Sequence, residues 1–337
     1  MTPRGRARDE GGFALLAVIL VMSLLAVVVT EFAFSMRLEA SMVRAYRDGV
    51  LARHLAEAGI QQAIREILSD SNVQGLDETG QVAFFTVPAG STALTRIPSL
   101  GRTEVPLGAG AFSYRISDEE GRLNLNAGGA DRMQRLLTAI GVEKIQRDEI
   151  VDAIEDWRDP NDVTRVNGAE SEDYLKLPVP YRARNGNVQD TDELLQVKGI
   201  TPEMYYGHED KPGLVELLSA RSRGTVNVNT APAPVLAALG LADAQISDIL
   251  QARTKDPFAR IQSLSRFNVS GGGSRMTVAS NTFRIDAEGI VGGEPKARIV
   301  AIVQKVAASP GTTPTVSVLS WRPMPLRSPV KEDAEKS

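Results

Sequence analysis

The 337-residue sequence has no cysteine, which excludes disulfides, thiolate metal sites and a cysteine nucleophile. It does not exclude the periplasm, where disulfides are permitted but not required. Histidine is almost as scarce. His54 and His208 stand far apart in the sequence, so a histidine-rich metal centre is excluded and a Ser/His/Asp triad has only two possible centres. Aromatic residues make up only 5% of the chain, and no aromatic platform accompanies the acidic residues described below. The net charge of -4 gives no global pull toward nucleic acid. Proline is absent between Gly5 and Val87, so nothing there forces a helix to stop. Hydrophobic content of 42% and charge of 24% fit a folded protein, and the length exceeds what one compact domain usually holds.

The N-terminus carries Arg4, Arg6 and Arg8, followed by residues 13–30 without a single charge. Eighteen helical residues reach about 27 Å, enough for a bilayer core. Arginines before the span stay cytoplasmic, so the remainder is expected on the other side, in a single-pass arrangement. An ordinary secretory signal would end in small residues, but Thr30-Glu31-Phe32 is a poor cleavage site. The helical rhythm continues instead through Val43, Tyr46, Val50, Leu51, Leu55, Ala58 and Ile64, with charges interleaved. One helix over about residues 13–68, apolar and then amphipathic, is expected. An uncleaved signal anchor is the plain reading of this segment. With Gly12-Phe13 before the span, the segment also resembles a type IV prepilin-like protein. That resemblance implies cutting by the prepilin peptidase between Gly12 and Phe13. The family's usual glutamate at the fifth mature position is replaced by Ala17, a departure associated with the minor pseudopilin K of type II secretion.

Downstream, the pattern alternates between strand and helix. Residues 81–87, 92–97 and 111–117 read as strands, with a turn at Asp118-Glu119-Glu120-Gly121. Helices fit 131–140 and 142–157 with Gly141 as the stop between them, then 191–197, 202–206, 233–239 and 242–253. A serine-flanked triple glycine at 270–274 is a flexible break. Strands return at 281–290 and 296–306 around Gly292-Gly293, and at 315–321. The tail from Arg322 is proline-rich, then charged, and is expected to be disordered. The simplest account is α+β: an antiparallel sheet packed on the N-terminal helix, with a helical domain inserted between its strands. Its expected segments are a leader at 1–12, the helix at 13–70, β-structure at 71–125, the helical insert at 126–270, the returning sheet at 271–321 and a tail at 322–337. Separate consecutive domains are the alternative.

Between Asp148 and Glu193 there are thirteen acidic and five basic residues. Asp152, Asp156 and Asp159 share a helix face before Pro160 ends the helix, and Asp162, Glu170 and Asp173 follow in the loop. Clustered carboxylates repel unless a cation sits among them. A flexible set of oxygens suits Ca²⁺ better than Mg²⁺, the spacing is not that of an EF-hand, and zinc is disfavoured without cysteine or histidine. A solvated acidic surface loop explains the same composition. A paired-carboxylate hydrolase is sharper, but nothing separates an acid from a base.

Several phrases then coincide in order. They are Asp118-Glu119-Glu120-Gly121-Arg122-Leu123-Asn124-Leu125-Asn126, Asp156-Trp157-Arg158-Asp159, Gly168-Ala169-Glu170, Asp192-Glu193-Leu194-Leu195 and Val226-Asn227-Val228-Asn229-Thr230-Ala231. With the N-terminal segment, this series resembles the minor pseudopilin K family of type II secretion. The resemblance implies a pseudopilin fold with a large inserted α-domain of SAM-like or helix-hairpin-helix-like units. It also implies a non-enzymatic subunit anchored in the inner membrane, with its bulk in the periplasm. Its partners would be minor pseudopilins I and J, the prepilin peptidase and the inner-membrane assembly platform. It would act at the pseudopilus tip in the export of folded proteins. By the same resemblance the α-domain binds Ca²⁺, and Asp156, Asp159, Asp162, Glu170 and Asp173 are the candidate ligands. A rival comes from another class. Residues 226–258 also resemble a helix-hairpin-helix DNA-binding module of the DNA-uptake type. The Gly-x-Gly turn that would offer backbone N–H groups to phosphate is incomplete at Gly240 and Gly199, and residues 231–250 contain no lysine or arginine.

Overall fold

A computed structural model describes residues 10–88, 90–91, 93–208, 211–269, 275–307 and 313–326. Most of the leader, the glycine-rich break at 270–274 and the end of the tail lie outside the described residues. With no proline to stop it, helix α1 runs from Glu10 to Ile67 as one rod of 58 residues, about 87 Å long. Its two halves meet different surroundings. The apolar window near its start has a mean hydropathy of 3.0 and is not covered by any other of the described residues. From Ala52 onward, a stripe of Ala52, Leu55, Ala56, Ile60, Ala63 and Ile67 is buried, at the three- and four-residue spacing that lines one helix face.

That stripe lies on a five-stranded antiparallel sheet. Its spatial order is Thr315–Met324, Glu294–Val306, Thr282–Val291, Gly110–Asp118 and Val105–Leu107. Alternation puts every second side chain toward the helix. Ile116, Ile285 and Ala301 form one cross-strand row, and Tyr114, Ala287 and Ile299 form the next, all buried. Gly289 sets how closely the helix approaches. A Cβ there would lie 1.7 Å from the Ala52 carbonyl oxygen, so strand and helix backbones touch. At the C-terminal end of α1, Arg102 Nη2 pairs with buried Glu66 Oε2 at 2.5 Å, and the Tyr114 hydroxyl donates to Glu66 Oε1. A hairpin of Val73–Leu76 and Val82–Thr86 closes this corner, with Phe84 edge-on to Phe283 at 5.7 Å.

The strands Gly110–Asp118 and Thr282–Val291 are direct neighbours, with Asp118 opposite Phe283. Residues 119–281 therefore leave the sheet and return between two adjacent strands. They contain α2 (Ala130–Ala139), α3 (Lys144–Arg158) and the single turn α4 (Ser171–Tyr174), followed by further short helices that include Ala233–Ala238 and Asp243–Lys255. Leu136, Leu137, Ile150, Ile154, Trp157, Leu194, Tyr205, Leu236 and Ile249 belong to a second core, separate from the one under the sheet.

Two boundaries differ from the sequence reading. The excursion begins directly after Asp118 and ends at Thr282, wider than residues 126–270. The last strand continues to Met324, past the expected start of the disordered tail. Pro323 lies on an edge strand, half of whose N–H positions face away from the neighbouring strand, which is where proline is tolerated in a sheet. Arg322 adds ion pairs to Asp190 at 2.8 Å and Asp192 at 3.1 Å.

Candidate functional site

The acidic loop is built on the end of α3. Ile150, Ile154 and Trp157 point into the insert's core, and Asp156, on the same turn, is drawn in with them and is fully buried. The helix ends at Asp159, before Pro160. Residues 159–170 then return without helix or strand, bringing Glu170 back beside Asp156. Close return is possible because position 168 is glycine: a Cβ there would sit 1.9 Å from Asp156 Oδ2. Below the loop, Trp157 meets Tyr174 edge-on at 5.3 Å, and Tyr174 stacks on Tyr181 at 5.2 Å.

The result is a cluster in which one carboxylate oxygen from each of Asp156, Asp159 and Glu170 lies within 4.8 Å of the other two. Glu170 is 1% exposed, and neither of its carboxylate oxygens makes a hydrogen bond of normal geometry, the Ser171 N–H giving only weak support to the charged form. A buried carboxylate normally has donors. Burial first, and then repulsion from Asp156, Asp159 and Asp162, push its pKa up to about 7. Orphaned carboxylate oxygens facing two more carboxylates match the oxygen-rich site that a hard cation prefers.

The five sequence candidates do not all meet there. Asp162 is exposed, and its Oδ1 accepts from Asn185 Nδ2 at 2.8 Å. Asp173 is exposed and caps α4, its Oδ2 accepting from the Glu170 N–H at 3.2 Å. Of two residues outside the candidate set, Arg165 belongs to the site and Asn185 fastens the loop beside it. Arg165 Nη1 reaches Asp156 Oδ1 at 2.7 Å and Asp159 Oδ2 at 2.6 Å. Asn185, at φ 48° in the left-handed region, holds Asp162 and has a buried Oδ1 without a partner. The signal for Arg165 was present as a basic residue midway between Asp159 and Glu170, whereas nothing local marks Asn185.

The asparagine phrases shared with DNA-binding hairpins have another use. Asn227 Nδ2 donates to Asp118 Oδ2 at 3.0 Å and to Ser280 Oγ at 2.8 Å. Asn229 exchanges two hydrogen bonds with the Phe258 backbone. Asn124 Oδ1 accepts the N–H groups of Asn126 and Ala127, and Asn126 holds the Val188 backbone from both sides. Asn124, Asn227, Asn229 and Thr230 are buried, so these side chains tie the insert together and to the sheet and are not offered to phosphate.

The same junction buries three consecutive carboxylates. Asp118 accepts from Asn227, Thr230, Ser280 and the Glu120 N–H. Glu119 is held by Arg122 at 2.6 Å, by Arg284 at 2.7 Å and by the Ser219 hydroxyl. Glu120 has much less help, a 3.3 Å bond from Thr282 Oγ1. Burial first, and then the Asp118 charge, raise its pKa from the ordinary 4.5 to about 7. The unfolded chain therefore ionises first, and folding loses stability as pH rises from about 4.5 to about 7. Glu120→Gln is expected to flatten that part of the pH profile and to add on the order of 2 kcal/mol at pH 8. Urea unfolding at pH 5 and pH 8 measures it. A variant whose stability falls between the two pH values as much as the wild type's would show that Glu120 is not the group responsible.

At the other end of the molecule, Gly12 and Phe13 lie within α1, and the Phe13 side chain is exposed, as is Ala17 one turn later.

Comparison with known proteins gives concordant likenesses. Two family models, each described as type II secretion system (T2SS), protein K, match residues 115–207 and 226–285. A type II secretion system protein K of Pectobacterium carotovorum subsp. carotovorum is 30% identical over 183 residues, covering 48% of this chain and 54% of that protein. The match thus spans about half the length of that relative. The protein of the same description from Pseudomonas aeruginosa is 26% identical over 273 residues, 74% of each chain. Among solved structures, a chain of the GspK-GspI-GspJ complex from the enterotoxigenic Escherichia coli type 2 secretion system superposes with a TM-score of 0.58. At 17% identity it covers 86% of this chain and all of that one, a likeness of fold.

Proposed function

We propose that the chain belongs to the family of type II secretion system protein K, which its likenesses support, and that it is a minor pseudopilin at the tip of the pseudopilus, supporting pseudopilus initiation and export of folded proteins. The observation that carries this reading is the large insert between adjacent sheet strands, on a head whose helix leaves its apolar half uncovered. The apolar half of α1 holds the subunit in the inner membrane, with the bulk of the chain in the periplasm, and later packs within the pseudopilus. The insert obstructs stacking of another subunit above it, which suits a terminal position.

The prepilin peptidase cuts between Gly12 and Phe13. In other subunits the glutamate at the fifth mature position neutralises the terminal amine of an earlier-added neighbour. Ala17 is consistent with a first-added subunit, which has no such neighbour. GspK of the solved complex is found with GspI and GspJ, and the partners here are minor pseudopilins I and J of the same system, together with the inner-membrane assembly platform. Asp156, Asp159 and Glu170 hold a structural Ca²⁺, with Asp162 and Asp173 nearby in the same acidic loop. The ion supplies charge neutralisation to the insert, and no enzymatic step is assigned to it.

The test is co-purification of the full chain, in detergent, with its system's I and J pseudopilins. A three-way complex that survives gel filtration is expected. Folded I and J that elute apart from this chain, with or without Ca²⁺, would overturn the tip assignment.

A further inference from the structure

Arg165 lies inside the cluster whose occupant has been proposed to be a divalent cation. Its Nη1 is 2.7 Å from Asp156 Oδ1 and 2.6 Å from Asp159 Oδ2, so one guanidinium nitrogen bridges both carboxylates. Neither Glu170 oxygen, one of which belongs to the same 4.8 Å cluster, makes a hydrogen bond of normal geometry. Three carboxylates are thus balanced by one unit of positive charge, and the third stays unsatisfied. A flat guanidinium on a tethered stem bonds through its fork edges. A compact divalent ion gathers oxygens from all sides.

Two further features bear on whether Arg165 could leave. Its side chain is 38% exposed, so a path to solvent is open. Its backbone N–H separately donates to Asp156 Oδ2 at 3.1 Å, so the loop keeps an anchor that does not depend on the side chain. A guanidinium is charged at every accessible pH. A positive group bonded to the lone pairs that a metal needs, and repelled by that metal once bound, competes with it.

We infer that Arg165 is a built-in occupant of the cation site: its guanidinium holds Asp156 and Asp159 together until a divalent cation arrives and then swings out to solvent, so that this residue sets the affinity for the ion. The inference rests on the reading that the cluster binds Ca²⁺. Competition of this kind weakens the apparent affinity by the fraction of time the site is free of its internal occupant. The arrangement also keeps the insert folded when the cation is scarce, because two of the three carboxylates stay paired.

The test is calorimetric titration of the chelator-stripped full chain in detergent with CaCl₂ at fixed ionic strength, for wild type, R165Q and R165K. R165Q is expected to bind about tenfold more tightly or better, with R165K between it and wild type. R165Q should also melt below wild type in chelator and level with it in saturating Ca²⁺. If wild type binds Ca²⁺ and R165Q binds equally or more weakly, Arg165 is not a competitor, and the cation reading stands alone. If neither protein binds, both readings fall. Should R165Q fail to stay folded without the ion, the release rate on adding chelator to the loaded protein replaces the titration. Slower release than wild type is expected, and equal or faster release overturns the inference.

Discussion

Removal of divalent cations should lower the melting temperature of the chain by roughly 10 °C, and by more at pH 8 than at pH 5. An ion present at about a thousand times its dissociation constant stabilises the folded state by about 4 kcal/mol. The pH dependence follows from Glu170. Its pKa of about 7 lies above the ordinary 4.5, so the cation-free fold loses stability as pH rises between those values. A bound cation takes the ionised form and cancels that loss, so the gap between chelated and loaded protein widens with pH. Glu170→Gln should shrink the gap at pH 8 most, because it removes both a ligand charge and the source of the pH dependence. Differential scanning fluorimetry with EDTA and with CaCl₂ at the two pH values measures all of this. Identical melting curves under every condition would leave residues 156–170 as a structural loop held by Arg165, Asn167 and Lys198 without a cation.

The second large effect is expected far from the acidic loop. Gly289→Ala should destabilise the head by more than ~3 kcal/mol. The added methyl group would meet the Ala52 carbonyl oxygen at 1.7 Å, a clash between two backbones that no side-chain rotation relieves. Either the helix lifts from the sheet, exposing the stripe from Leu55 to Ile67, or the central strand buckles. Gly59→Ala is the matched control. Its Cβ would meet only side-chain carbons of Phe112 and Ala287, at 3.2 and 3.3 Å, and alanine is the better helix former by about 1 kcal/mol. Chemical denaturation of both variants should therefore separate them widely. A Gly289→Ala protein as stable as Gly59→Ala would mean that the helix rides on the sheet more loosely than the geometry shows.

Much of this architecture was readable from local pattern. An uncharged, proline-free start dictates a long helix, and residues 111–117 alternate as a half-buried strand must. Less was readable where distant residues decide. Nothing around Arg322 announces Asp190 and Asp192, so the end of the chain read as tail although the strand runs to Met324. Acidic residues are conspicuous, so Asp156, Asp159 and Glu170 could be picked out. Sequence could not show that Asp162 is held by Asn185 or that Asp173 turns to cap α4, because both depend on how the loop closes. The asparagines at 227 and 229 could be read two ways. A buried asparagine that ties backbone to backbone has the same letter as one that faces a ligand, and only burial distinguishes them.

The adjacency of the strands Gly110–Asp118 and Thr282–Val291 also dictates an order of assembly. Their pairing joins residues separated by the whole of 119–281. Closing so long a loop is entropically unfavourable while its interior is unstructured, and contacts of such high order slow folding. Once the insert has formed its own core, Asp118 and Thr282 are delivered side by side and the closure is already made. The head is therefore expected to form late, after a domain that shares none of its core. Mutations deep in the insert, at Leu136 or Ile249, should slow formation of a sheet whose core they never touch.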